Sequence, residues 1–294
     1  MNKISVSFCL FTYNQAAFVA EAVKSALSQE YDDLEIIISD DCSSDETFEI
    51  IQSVTNCYTG KHKLILLRND YNMGLVPHIN KVLFNHTHGK YIILAAGDDV
   101  SLPHRTKLTV KALSKDTVVG VVFPVVKINT IGGIIDNPRK KYNHIYKLNA
   151  SYLRKSSFMV YGTGLSFIRE VMEVFGELND SCPTEDSTFR LRCLLMGRIL
   201  LMGDSCMYYR IHDNNMSSPG NIYTLKTKCI AEQYFTDIET AFNSKLISEK
   251  KRVCLLKKVS KYMRYRELCQ LAYDRNDFVS KIRLYWLNLL YRFI

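Results

Sequence analysis

The chain has 294 residues, 47% hydrophobic and 23% charged. This is the balance of a folded globular protein with room for one large domain and an appendage, and it excludes a low-complexity or disordered chain. The net charge of +8 sits at the end of the chain: residues 245–294 hold 13 Lys and Arg against 4 Asp and Glu, and the first 244 residues hold 25 against 26.

In chain order, residues 4–11 read as a buried strand. Asn14 is a candidate cap for a helix reaching about Gln29, with Phe18, Ala22, Val23, Ala26 and Leu27 on one face. Residues 34–39 form the next strand, 44–54 a helix, and 63–67 a third strand. Leu75, Ile79, Val82 and Leu83 have helical spacing. Residues 91–96 are a strand, 105–114 a helix, and 118–126 a strand. Strand and helix alternate, which predicts an α/β fold with a mostly parallel sheet covered on both faces. Residues 127–150 break the rhythm, and Gly132-Gly133 and Asn137-Pro138 suggest a hairpin or loop. A short strand and helix follow over 164–175, a helix over 186–196 stopped by Gly197, and extended chain over 198–209. Beyond Asn221, helices are expected over 222–242, 247–273 and 278–293. The expected division is residues 1–220 as the α/β domain and 221–294 as a basic helical region.

Acidic residues end or begin three of these elements. Asp40-Asp41 close the second strand, Asp98-Asp99 follow the fourth, and Glu185-Asp186 open a helix. Any one pair also suits a solvated turn or a helix cap. Three in order point to the crevice at the carboxyl ends of the strands, where open α/β sheets bind ligands. Carboxylates clustered there can hold a hard cation, which in turn grips phosphate oxygens. No G-x-G-x-x-G follows the first strand and no G-x-x-x-x-G-K-[ST] occurs, so a dinucleotide-binding dehydrogenase and a P-loop enzyme are excluded.

Four stretches together resemble the ordered motifs of the family 2 glycosyltransferases: Val6 to Asn14, Ser39 to Asp45, Gly97-Asp98-Asp99 and Glu185-Asp186. The resemblance spans about residues 3–215. It implies a GT-A fold and inverting transfer from a nucleotide-sugar, by family habit a UDP-sugar, to a hydroxyl of a saccharide or polyprenyl-linked saccharide. Thr12, Asn14, Asp41 and Asp98 are then the expected donor-binding residues, with Asp41 accepting from the uracil N–H. Asp99 is the expected ligand of Mn²⁺ or Mg²⁺, with His212 beside it. Asp186 is the expected catalytic base, with Glu185 and Gly164 on the acceptor side. The family often has Asp-x-Asp where Gly97 stands here, which is why Asp99 carries the metal expectation. Asp45 suits either a helix cap or a ligand contact, Asn72 and Gly74 match an N-x-G turn before a helix, and Arg190 and Arg192 are candidate contacts for acceptor or phosphate. The implied setting is a bacterial surface polysaccharide such as O-antigen or capsule; the alternative is an inactive nucleotide-sugar-binding scaffold protein.

Two further expectations concern location. No apolar run reaches membrane-span length, and Met1 to Ser5 lack the layout of a secretion signal, so a cytoplasmic protein is expected. Its nine cysteines form no C-x-x-C pair, which argues against zinc, and Cys9, Cys193 and Cys254 read as buried thiols. The basic residues of 245–294 alternate with apolar ones and end in an aromatic stretch around Trp286. That pattern suits peripheral contact with an anionic inner-membrane surface, or packing on the core or on a second subunit as a homodimer. No nucleic-acid-binding module is visible.

Overall fold

In the computed structural model, residues 5–137, 144–147, 162–213, 215 and 227–275 are described. The central sheet has eight strands: β1 (Val6–Thr12), β2 (Leu34–Asp40), β3 (Lys63–Arg68), β4 (Tyr91–Ala96), β6 (Val118–Val122), β9 (His144–Lys147), β10 (Leu165–Ile168) and β11 (Arg198–Leu201). Their order is β3-β2-β1-β4-β10-β6-β11-β9. Strands β1 to β4 run parallel, β10 is antiparallel to β4 and β6, and β11 is parallel to β6. A smaller sheet has the order β5-β12-β7-β8, made of β5 (Val100–Ser101), β12 (Met207–Arg210), β7 (Val126–Ile128) and β8 (Ile134–Asp136). The expected strand over 118–126 is therefore two strands. They part at Phe123-Pro124-Val125, where proline offers no N–H to a ladder and the chain leaves one sheet for the other.

Helices cover both faces. Ile36 and Ile38 join one hydrophobic cluster with Val19, Ala22, Val23 and Ala26 of α1 (Val19–Leu27). Ile37 joins the other cluster with Ile79 and Leu83 of α3 (Leu75–His86) and with Phe189 and Leu194 of α6 (Asp186–Met196). The remaining helices of the first part are α2 (Thr47–Asn56), α4 (Arg105–Leu113) and α5 (Glu170–Phe175). Two helices follow, α7 (Thr227–Asn243) and α8 (Glu249–Arg275). Tyr234, Ile238, Leu255 and Val259 from them enter the same cluster as Ile37 and Phe189. The helix expected over 278–293 lies outside the described residues, and among those described no helix is long and apolar enough to cross a membrane.

Several local expectations give way to packing. Asn14 does not cap α1: its φ of 50° is left-handed and the helix begins four residues after the expected cap's neighbour, at Val19. The Asn14 side chain instead accepts from the Ser44 N–H at 2.9 Å. Cys9 and Cys193 are buried as expected, but Cys254 is exposed, because it lies one residue off the stripe of α8 that buries Leu255 and Val259. Arg192 contacts neither acceptor nor phosphate. It is fully buried, its Nε and Nη2 each 3.0 Å from an Asp237 carboxylate oxygen, with Nη1 donating to Gly176 O and the guanidinium packed against Phe175 and Phe189.

Removing one partner of such a pair strands the other charge in the interior, at a cost of about 3–5 kcal/mol. Asp237→Ala is expected to lose about that much in urea unfolding, and Arg192→Met with Asp237→Leu to recover most of it. A loss under about 1 kcal/mol for Asp237→Ala would show that the pair does not anchor α7 to the core.

Candidate active site

The registers decide where the acidic residues go. Thr12 pairs with Asp40, and Phe11 pairs with Ala96, so the first loop, Asp40-Asp41 and Gly97-Asp98-Asp99 leave the sheet at one edge. Strand β10 runs the other way and starts at that edge, which brings Thr163 and Gly164 there. Helix α6 leads back through Gly197 to the start of β11, which is parallel to β6. Its N-terminus, with Glu185 and Asp186, therefore stands at the same carboxyl edge.

The first two motifs are clasped together by hydrogen bonds. Asp40 is fully buried and accepts from Thr12 Oγ1 (3.0 Å), the Ser43 N–H (2.8 Å) and Ser43 Oγ (2.5 Å). Asp41 is also buried; it accepts from Asn69 Nδ2 (2.7 Å) and from the Met73 and Gly74 N–H groups (3.0 and 2.9 Å). Its carboxylate thus holds the 69–74 turn that precedes α3. In that turn Asn72 Oδ1 accepts from the Gly74 N–H, and Gly74 takes a φ of 85°, which favours glycine. Asp45 accepts from the Thr47 N–H, at the first residue of α2, and from the Ala16 N–H, so it ties the first loop to the start of that helix; the cap position itself is Glu46, whose side chain makes no capping bond. His78 of α3 is buried with Nε2 2.6 Å from Ser39 Oγ and Phe11 edge-on to its ring. Burial pushes it down to about 4, so it is neutral at physiological pH.

The third motif meets the end of β12. Asp98 Oδ2 lies 2.9 Å from His212 Nε2, and both side chains are 12% exposed. The carboxylate that meets His212 is thus Asp98, not Asp99. Asp99 is buried: its Oδ1 accepts from the Arg210 N–H at 2.9 Å, and its Oδ2 is buried with no hydrogen-bond partner. Burial, and then the charge of Asp98, hold Asp99 well above the usual carboxylate range. The Arg210 N–H, the neighbouring Thr163 hydroxyl (which is not aligned for a full hydrogen bond) and the Arg105 charge offset this only in part.

Residues assigned no role of their own from sequence hold this arrangement. Arg210 is buried and donates from Nε to Asp98 O (3.0 Å), from Nη1 to Asn129 O and Thr130 O (3.2 Å each), and from Nη2 to Glu21. The Phe18 ring packs against both the Arg210 guanidinium (5.0 Å) and the His212 ring (5.1 Å). Arg105, also buried, donates from Nη2 to Leu94 O and Thr163 O and so ties the 162–164 turn to β4. Gly164 is buried here; a Cβ would come within 3.1 Å of Phe123 O, so only glycine fits without displacement.

On α6, Asp186 Oδ1 accepts from Thr184 Oγ1 (2.6 Å) and from the Ser187 N–H. Glu185 is partly buried at the start of α6. That burial, and then the adjacent Asp186 charge, push it up to about 8. No hydrogen bond joins Asp186 to Asp98, Asp99 or His212 among the described contacts; they share the edge, not a network. A cavity of about 360 Å³ lies against the smaller sheet, bordered by Leu102, Val126, Ile134, Asp204 and Tyr208, and none of the acidic motif residues lines it.

Comparison with known proteins gives this edge a context. The model of glycosyl transferase family 2 matches residues 7–176, more than half of the chain. An uncharacterized glycosyltransferase of Nostoc sp. is 25% identical over 225 residues, 73% of this chain and 68% of that protein. The UDP-Glc:alpha-D-GlcNAc-diphosphoundecaprenol beta-1,3-glucosyltransferase WfaP of Escherichia coli is 35% identical over 94 residues, which is 32% of this chain and only 35% of that protein's length. Among solved structures, S. aureus TarS 1-349 in complex with UDP-GlcNAc superposes with a TM-score of 0.65 at 16% identity, covering 88% of this chain and 72% of that one. At that identity the likeness is one of fold, and the fold is GT-A. Motif order, sheet topology and family match agree, and the chain belongs to glycosyl transferase family 2.

Proposed function

We propose that this protein transfers a sugar from a UDP-sugar, with inversion, to a hydroxyl of a saccharide or lipid-linked saccharide in the assembly of a bacterial surface polysaccharide. The observation that carries the proposal is the pairing of Asp98 with His212 on the sheet edge that also bears Glu185 and Asp186. The UDP-Glc donor and diphosphoundecaprenol-linked acceptor in the name of the E. coli relative support the substrate class. The inner face of the cell membrane is the matching location, where the basic surface of α8, with Lys250, Lys257, Lys261 and Arg264 exposed, meets anionic lipid.

A divalent cation, Mn²⁺ or Mg²⁺, fits the donors present. Asp98 and His212 offer an oxygen and a nitrogen on side chains that are each 12% exposed, and the buried Oδ2 of Asp99, which has no hydrogen-bond partner, is an atom that such an ion would satisfy. Among the described residues no three His, Cys, Asp or Glu side chains form a ready-made metal cluster, so diphosphate and water would complete the coordination. When bound, the ion would neutralise charge on the departing nucleoside diphosphate. The chain's own residues do the rest. Asp41 fixes the 69–74 turn against the first loop, which shapes the nucleotide-facing surface. Thr184 and the Ser187 N–H fix Oδ1 of Asp186, which presents Oδ2 to the acceptor hydroxyl as general base. Glu185, protonated at neutral pH, spares Asp186 a second negative charge at its side.

Asp186→Asn is expected to lower kcat by roughly 10²–10⁴-fold while UDP affinity stays within about twofold; near-normal turnover would refute the base assignment. By calorimetry, Asp98→Ala is expected to weaken UDP binding in Mn²⁺ by about 10–100-fold, and to leave binding in EDTA unchanged. Equal affinity in Mn²⁺ would remove Asp98 from the metal site. Glu185 binds its proton more tightly in the folded chain, up to about 8, than at its ordinary value of 4.5. The folded state therefore holds more protons between those values, and this group's contribution to stability falls as pH rises through that window. The drop in Tm from pH 5 to pH 8 is expected to shrink in Glu185→Gln. Parallel curves for the two proteins would contradict a partly buried, protonated Glu185.

A further inference from the structure

The hairpin β7–β8 presents apolar side chains that the other described residues leave exposed. Ile131 is 89% exposed, Ile134 62% and Ile135 56%, and Ile211, whose N–H donates to Ile128 O at the end of β7, is 39% exposed. From Ile128 to Ile135 the sequence Ile-Asn-Thr-Ile-Gly-Gly-Ile-Ile has no charged residue. The tip is well ordered: Asn129 Oδ1 accepts from the Ile131 and Gly133 N–H groups, the Asn129 N–H donates to Gly133 O, and Gly132 takes a φ of 85°. Three large exposed aliphatics within five residues on a hydrogen-bonded tip form a concentrated apolar surface, the kind that marks an interaction site.

We infer that this hairpin is a membrane-docking finger, with Ile131, Ile134 and Ile135 entering the headgroup and upper acyl layer of an anionic bilayer. The hairpin geometry argues against a partner strand as occupant. Strand β8 is only three residues long, and the pairing of Lys127 with Asp136 but Ile128 with Ile134 leaves Ile135 as an extra, bulged residue. A short, bulged edge strand resists strand addition, whereas an apolar phase needs no directional hydrogen bonds. Charge favours lipid as well. The finger itself is neutral, and in the sequence Arg139, Lys140 and Lys141 follow its last strand residue, Asp136, within five residues. An apolar insertion next to basic residues is the pairing that binds anionic membrane surfaces.

The finger is also wired to the site. Arg210 grips Asn129 O and Thr130 O with Nη1, Asp98 O with Nε, and Asp99 Oδ1 with its backbone N–H. Anchoring the hairpin would therefore set the height of the Asp98–His212 pair above the lipid, which suits a lipid-linked acceptor. That purpose rests on the function proposed above; lipid binding by the finger does not, and the two are measured separately.

The test uses the full chain with phosphatidylcholine vesicles and with vesicles containing one quarter phosphatidylglycerol. Replacing Ile131, Ile134 and Ile135 together by Ser is expected to lower partition onto the anionic vesicles by roughly tenfold or more, with Tm and UDP affinity unchanged because none of the three is buried. A second variant, Ile131→Trp in a Trp286→Phe background, is expected to shift its emission to the blue on anionic vesicles and to be quenched by shallow nitroxide-labelled lipid. Unchanged partition of the serine variant, or an unquenched indole on vesicle-bound protein, would overturn the inference. So would a lipid-free dimer that the serine variant abolishes in sedimentation, since the finger would then cover a second copy. Loss of UDP binding with vesicle binding intact would count against the proposed function and not against the finger.

Discussion

A buried guanidinium organises this site. Arg210 could not be sequestered at such low exposure unless its donors were satisfied, and each partner comes from a different part of the chain: Glu21 on α1, the Asp98 carbonyl after β4, and the Asn129 and Thr130 carbonyls of the hairpin. Its backbone N–H adds Asp99. Satisfying one cation thus forces the first helix, the acidic turn and the smaller sheet into a single arrangement. Phe18, packed on that cation, also packs at a tilt against His212 and so helps fix the ring that meets Asp98.

The carboxylates at the sheet edge divide by their partners. Asp40, Asp41 and Asp45 accept from backbone N–H groups and short side chains and so hold the loops of the edge in place. Asp98 remains accessible beside an imidazole, and Asp99 keeps one oxygen buried and without a partner. Glu185 and Asp186 stand apart on α6, one pushed towards its neutral form by burial and by its neighbour. Placing carboxyls in surroundings that differ this much is how one edge can provide both a cation-gripping function and a proton-accepting one.

Features that depend on near neighbours were legible in the sequence. The alternation of strands and helices, the start of α6 at Asp186, the Asn72-x-Gly74 turn and the break around Gly132-Gly133 all follow from local pattern and turn chemistry. Features that depend on distant partners were not. Asn14 has the chemistry of a helix cap, but its bonds to Ser43 and Ser44 on another loop draw it into a left-handed conformation. Arg192 sits on the helix that carries Asp186, yet Asp237, 45 residues on, decides its place. Nothing local distinguishes Asp98 from Asp99. Only the end of β12, more than a hundred residues away, takes one to His212 and the other to the Arg210 N–H.

The central claim is that Asp98 and His212 form the cation-binding side of a nucleoside diphosphate site. It is tested most directly by locating the metal: crystals grown with UDP and Mn²⁺, with diffraction data collected at the manganese absorption edge. An anomalous peak between Asp98 and His212, touching the diphosphate, is the predicted result. Bound UDP with the manganese peak elsewhere, or with none at that pair, would contradict the account.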